Sequence, residues 1–114
     1  MTSDPSRKVV LREERSGRDQ RNLWAYIDES GALHIDGQDL GPATARVSAD
    51  GEYEWFETIQ PAHLPRLVDL LGGDAGTDLL DLLAERYTGA GAAELERVLQ
   101  ESGIPVELFV YSEG

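Results

Sequence analysis

The sequence predicts an α+β fold: a four-strand antiparallel meander, then three helices packed on one face of the sheet, then a C-terminal strand. Three observations carry that expectation. Short segments of β-type composition recur before residue 60, the apolar period changes to 3.6 residues after Pro61, and an apolar run returns at 104–111. Strands gathered first and helices second make a layered α+β domain rather than a doubly wound one. At 114 residues, the chain fits a single domain, 1–114.

Residues 1–6 are polar, contain Pro5 and are expected to fray. Residues 7–14 hold Val9, Val10 and Leu11 between charged flanks, which reads as a first strand. Ser16-Gly17-Arg18-Asp19 is turn chemistry. Residues 22–29 form a second strand: Leu23, Ala25 and Ile27 alternate with Trp24, Tyr26 and Asp28, and its two apolar faces suit a central position. Ser30-Gly31 turns the chain into a third strand over 32–36, with Leu33 and Ile35 opposed to His34 and Asp36.

Gly37-Gln38-Asp39-Leu40-Gly41-Pro42, bracketed by glycines and closed by proline, reads as a loop, and 43–51 as an irregular connection ending in the turn Ala49-Asp50-Gly51. Residues 52–59 are a fourth strand by aromatic and β-branched content, with a bulge expected where Phe56 blurs the alternation. Pro61 suits a first helical turn, Leu64, Leu67, Val68 and Leu71 follow at helical spacing, and Gly72-Gly73 ends the helix. Thr77 or Asp74 is expected to cap a second helix that buries Leu79, Leu80, Leu82, Leu83 and Tyr87 and stops at Gly89. A third covers 92–102 with Leu95, Val98 and Leu99 inward and Gly103 as its stop. Residues 104–111 close as a strand, and Pro105 favours an edge or entry position.

Charge is divided unevenly. Residues 1–22 are net +2, and residues 23–114 are net −14, giving −12 for the chain. Only Arg46, Arg66, Arg86 and Arg97 are basic beyond residue 22, so the body is unsuited to direct nucleic-acid binding, which needs cations to displace counterions. Two readings of the acidity stand: solubility alone, or steering toward a basic protein patch. The chain has no cysteine, which excludes disulfides, thiolate metal sites and cysteine nucleophiles. No membrane-length apolar run and no secretory leader are apparent, so the expected location is the cytoplasm, without membrane association.

No pattern for nucleophilic, phosphate-binding or dinucleotide chemistry occurs, and no catalytic residue, cofactor or metal ligand is assigned. Asp36, Gln38 and Asp39 mark the 36–42 loop as a candidate small-molecule or divalent-cation site; turn chemistry explains the same residues. Asp78, Asp81 and Glu85 share one side of a helix, either a solvated surface or a docking face. Trp24, Tyr26, Tyr53 and Trp55 are the strongest binding candidates. Sharing one uncovered sheet side, they would make an aromatic patch rimmed by Asp28, Glu52, Glu54 and Glu57; under the helices, they would complete the core.

Gly31 to Pro42, with its Gly37-Gln38-Asp39-Leu40-Gly41 segment, Glu52-Tyr53-Glu54-Trp55 and the Pro61-Ala62-His63-Leu64-Pro65 helix start resemble a family of small uncharacterised single-domain proteins found chiefly in high-GC Gram-positive bacteria. The resemblance covers roughly 23–110 and implies a shared fold, with no settled activity attached to it. From the residues themselves, the expected function is a non-enzymatic acidic module that binds another protein, in concrete form an immunity or inhibitor protein for a basic partner. A small-molecule or metal site at the 36–42 loop is the alternative, and a homodimer through an exposed sheet face is a further possibility.

Overall fold

The computed structural model describes residues 7–41, 52–74 and 76–111. The elements in chain order are β1 (Lys8–Ser16), β2 (Asp19–Ile27), β3 (Leu33–Leu40), β4 (Glu52–Ile59), a 3-10 turn (Pro61–His63), α1 (Leu64–Leu70), α2 (Leu79–Arg86), α3 (Gly91–Ser102) and β5 (Glu107–Tyr111). The five strands form one antiparallel sheet in sequential order, β1-β2-β3-β4-β5. The expected α+β order therefore holds, and the last strand takes β4 as its neighbour.

Period-2 alternation sorts the sheet into two faces. Val9, Leu23, Ala25, Leu33, Ile35 and Ile59 point to one side and are buried. Against them pack Leu67 and Leu71 at α1, Leu79, Leu80, Leu82 and Leu83 of α2, and Ala92, Leu95 and Leu99 of α3, in one continuous core. Each fully buried leucine contributes about 1.5–3 kcal/mol relative to exposure, so this layer contact holds the helices to the sheet.

Several local expectations need correction. Residues 37–40 are not loop: β3 runs on to Leu40 and pairs with β2 and β4 throughout. The reason is Gly37, which lies opposite Trp55 with the indole directly over it, so that a β-carbon there would overlap the ring. Glycine in this strand makes room for an aromatic neighbour instead of breaking pairing. The expected bulge at Phe56 is absent from the β3–β4 and β4–β5 registers; Trp55 and Phe56 simply face opposite sides. The register shift lies in β1 between Val10 and Arg12, leaving Leu11 as the extra residue. The buried Leu11 accepts a 2.8 Å bond from Gly89 N–H at its carbonyl, which ties β1 to the turn between α2 and α3.

The cap of α2 is Asp78, whose carboxylate accepts from Asp81 N–H at 2.9 Å, rather than Thr77 or Asp74. Those two bond to each other in the turn before it, with Thr77 Oγ1 donating to Asp74 Oδ1 at 2.9 Å. Gly103 ends α3 in the left-handed region at φ 74°, as its position implied. β5 begins at Glu107, later than residue 104, because Ile104 turns into the core first. The expected fraying of 1–6 and the connection at 42–51 lie outside the described residues.

The Gly37–Trp55 contact gives a direct test. Gly37→Ala is expected to displace the indole and cost about 1–3 kcal/mol through overpacking. Urea unfolding followed by tryptophan fluorescence measures both effects, and an unchanged midpoint would refute the close approach.

Candidate functional site

The side of the sheet away from the helices carries three rows of side chains fixed by strand register. The central row is Val10, Trp24, Asp36, Phe56 and Phe109, one residue from each strand. Beside it runs Lys8, Tyr26, His34, Thr58 and Glu107, and on the other flank stand Asn22, Gln38, Glu54 and Tyr111. Val10 and Phe109 are 52% and 64% exposed, so apolar surface reaches solvent at both ends of the central row.

Aromatic contacts organise this face. Tyr26 stacks on His34 at 4.7 Å between centroids with planes 6° apart, and Phe56 meets Phe109 at 6.1 Å. The Lys8 ammonium lies 5.4 Å from the Trp24 ring centroid and 5.9 Å from that of Tyr26. His34 is held from both sides: Nε2 is 2.6 Å from Asp28 Oδ2 and Nδ1 is 3.3 Å from Thr58 Oγ1. Asp28 also accepts from the Ser30 hydroxyl at 2.6 Å and from the Ser30 and Ala32 amides at 2.8 and 3.1 Å. These donors, led by the Ser30 hydroxyl and His34, hold its carboxyl well below the usual carboxylate range. Asp28 thus closes the β2–β3 turn and orients His34 with the same group.

Asp36 sits at the centre of the face, between Trp24 and Phe56, and is only 7% exposed. Its Oδ1 has no hydrogen-bond partner among the described residues. Burial pushes its pKa up, and the charges of His34 and Lys8 oppose that rise.

The four aromatic candidates do not form one patch. Trp24 and Tyr26 lie on the face away from the helices, which no described helix covers, whereas Tyr53 and Trp55 lie on the helix side of β4, 5.7 Å apart. Asp36 and Gln38 face the open side, and Asp39 faces the other, so Asp36 and Asp39 do not converge. Among the described residues, no cluster of three or more histidine, aspartate or glutamate side chains could hold a metal ion. Asp78 and Asp81 bond to Arg7, which joins the basic N-terminal region to the start of α2.

Tyr53, Trp55 and Asp39 instead line a cleft of about 610 Å³ between β4–β5 and α3, whose other walls include Glu57, Glu96 and Leu99. The lining contains three acids and no basic side chain. Burial, the charge of Glu96 and a hydrogen bond shared with it push the Glu57 carboxyl up to about 8. Glu96 Oε1 is buried without a hydrogen-bond partner among the described residues.

Sequence reasoning missed Lys8, Phe56 and Phe109 on the open face, and the Glu57–Glu96 pair in the cleft. A signal existed for Glu57: it shares parity with Trp55 and Ile59, an acid at an inward position. Comparison with protein-family models, with curated proteins and with solved structures finds no match for this chain.

The carboxyl pair makes stability depend on pH. A folded-state pKa near 8 against an ordinary 4.5 means that the folded state holds the proton more tightly. Its contribution is complete below pH 4.5 and is lost as pH rises toward 8. Wild type is expected to lose about 1–2 kcal/mol relative to Glu57→Gln across that window, a figure reduced for solvent screening of a half-buried pair. Urea titrations of both proteins at several pH values measure it, and parallel profiles would rule out the shared proton.

Proposed function

We propose that the chain is a cytoplasmic, non-enzymatic protein-binding module whose sheet face away from the helices docks a basic protein surface, as an immunity or inhibitor protein covers a basic cleft. The observation that carries this reading is the central row: Trp24 and Phe56 flank Asp36, while exposed Val10 and Phe109 extend the apolar surface across five strands. Aromatic centres with polar rims are the usual composition of protein interfaces. Glu54 and Glu107 lie on the flanking rows, and the net charge of −12 favours encounter with a positive partner.

A partner recovered from the native host should be released by salt and lost with Phe109→Ser. That variant removes an exposed ring and is expected to weaken capture tenfold or more with little change in melting temperature. Glu85→Gln, on an exposed part of α2, serves as the control. Capture that ignores both salt and Phe109→Ser, or no partner at any salt, would overturn the reading. A dimer by light scattering that Phe109→Ser dissociates would assign the face to a second copy instead.

The small-molecule alternative is better supported at the cleft than at residues 36–42, because Asp39, Tyr53 and Trp55 converge there beside Glu57 and Glu96. An arylalkylamine such as tyramine would set its ring against Trp55 and its ammonium against the carboxyl pair. Tyramine is then expected to raise the melting temperature of wild type and not that of Glu57→Gln. No shift in wild type would remove this alternative.

A further inference from the structure

We propose that the sheet face away from the helices holds an anchor site for an arginine side chain, built from Asp36 with Trp24, Tyr26 and Phe56, and that Lys8 competes for two of its rings in the unbound chain. This inference rests on the docking reading above and names the group the partner presents. Asp36 is buried to 7% exposure between two aromatic neighbours, with Oδ1 unpartnered among the described residues, a costly state for a carboxylate. A donor supplied from outside would relieve it.

The surroundings select the donor's chemistry. Trp24 and Phe56 stand on the strands either side of Asp36, so their bases are about 10 Å apart, given a strand spacing of about 4.8 Å. Asp36 Oδ1 is itself covered, so a flat group reaches it only when a flanking ring swings aside. Guanidinium is flat, stacks on aromatic faces and offers a fork of N–H donors to a carboxylate. Two of the site's rings already carry a cation, since the Lys8 ammonium lies 5.4 and 5.9 Å from the Trp24 and Tyr26 ring centroids. No ion pair between Lys8 and Asp36 forms among the described residues, so the lysine stands over the rings and leaves the acceptor unfilled. An exposed contact of that kind is worth roughly two- to fivefold in an equilibrium constant, which an incoming arginine can displace.

The experiment titrates N-acetyl-arginine amide into the full chain and follows the Trp24 indole N–H by NMR. A saturable shift is expected in wild type, with affinity raised about two- to fivefold in Lys8→Gln. It should be weakened tenfold or more in Asp36→Asn, which preserves side-chain shape. N-acetyl-norvaline amide, lacking the guanidinium, should leave the signal in place, and N-acetyl-lysine amide should bind more weakly than the arginine probe. No shift in wild type, or equal affinity in Asp36→Asn, would overturn the anchor. Should Asp36→Asn fail to fold, Trp24→Leu tests the same contact through the Tyr26 ring signals, and undiminished binding there counts against the site equally. The two readings fail separately. A salt-sensitive partner held equally well by Asp36→Asn removes the anchor and keeps the docking face. Probe binding without any protein partner keeps the anchor and removes the docking reading.

Discussion

Everything on either side of the sheet depends on the unbroken register of β2, β3 and β4. With Leu33 and Ile35 committed to the core, alternation sends His34 and Asp36 to the opposite side, and hydrogen-bonded pairing brings Trp24, Tyr26, Phe56 and Thr58 alongside them. A slip of one residue would invert both sets together. The Gly37–Trp55 pair guards against such a slip, because only glycine leaves room for the indole and only this pairing sets the two opposite.

Electrostatics follows the same division into layers. On α3, the exposed Glu94 and Glu101 pair with Arg97, and such surface pairs add little to stability. Three of the six basic residues near the N-terminus have separate contacts: Arg7 on Asp78 and Asp81 at the start of α2, Arg12 on Glu14, and Lys8 over two aromatic rings. Among the described residues, the buried acid oxygens without a hydrogen-bond partner are Asp36 Oδ1 and Glu96 Oε1. Asp36 on one face and the Glu57–Glu96 pair on the other have the most to gain from something arriving from outside.

Much of this architecture was legible in the sequence because it is local. β4 begins and ends where its aromatic and β-branched composition does, and α3 stops at the glycine whose left-handed backbone marks its end. Local reasoning failed where the deciding neighbour was distant in sequence. Gly37 reads as punctuation until Trp55 is placed over it. Parity within each strand shows that Trp24 goes with Tyr26 and Tyr53 with Trp55; whether the pairs share a side depends on register set through the connections between strands. The candidate site was therefore half visible. Its residues could be named, but their division between face and cleft could not.

The two margins of the sheet are chemically unlike. β1 ends in Arg12-Glu13-Glu14-Arg15, and such charges discourage another strand from joining an edge. β5 presents Leu108, Phe109, Val110 and Tyr111, all exposed, with one acid at its start. A short apolar edge strand of this kind is a template for strand addition between copies. Long-range repulsion between chains of net charge −12 opposes that addition, and its reach shrinks to about 8 Å at physiological ionic strength and about 3 Å at 1 M salt. Colloidal stability of the protein is thus set by the solvent as much as by the fold, with β5 as the place where self-association would begin.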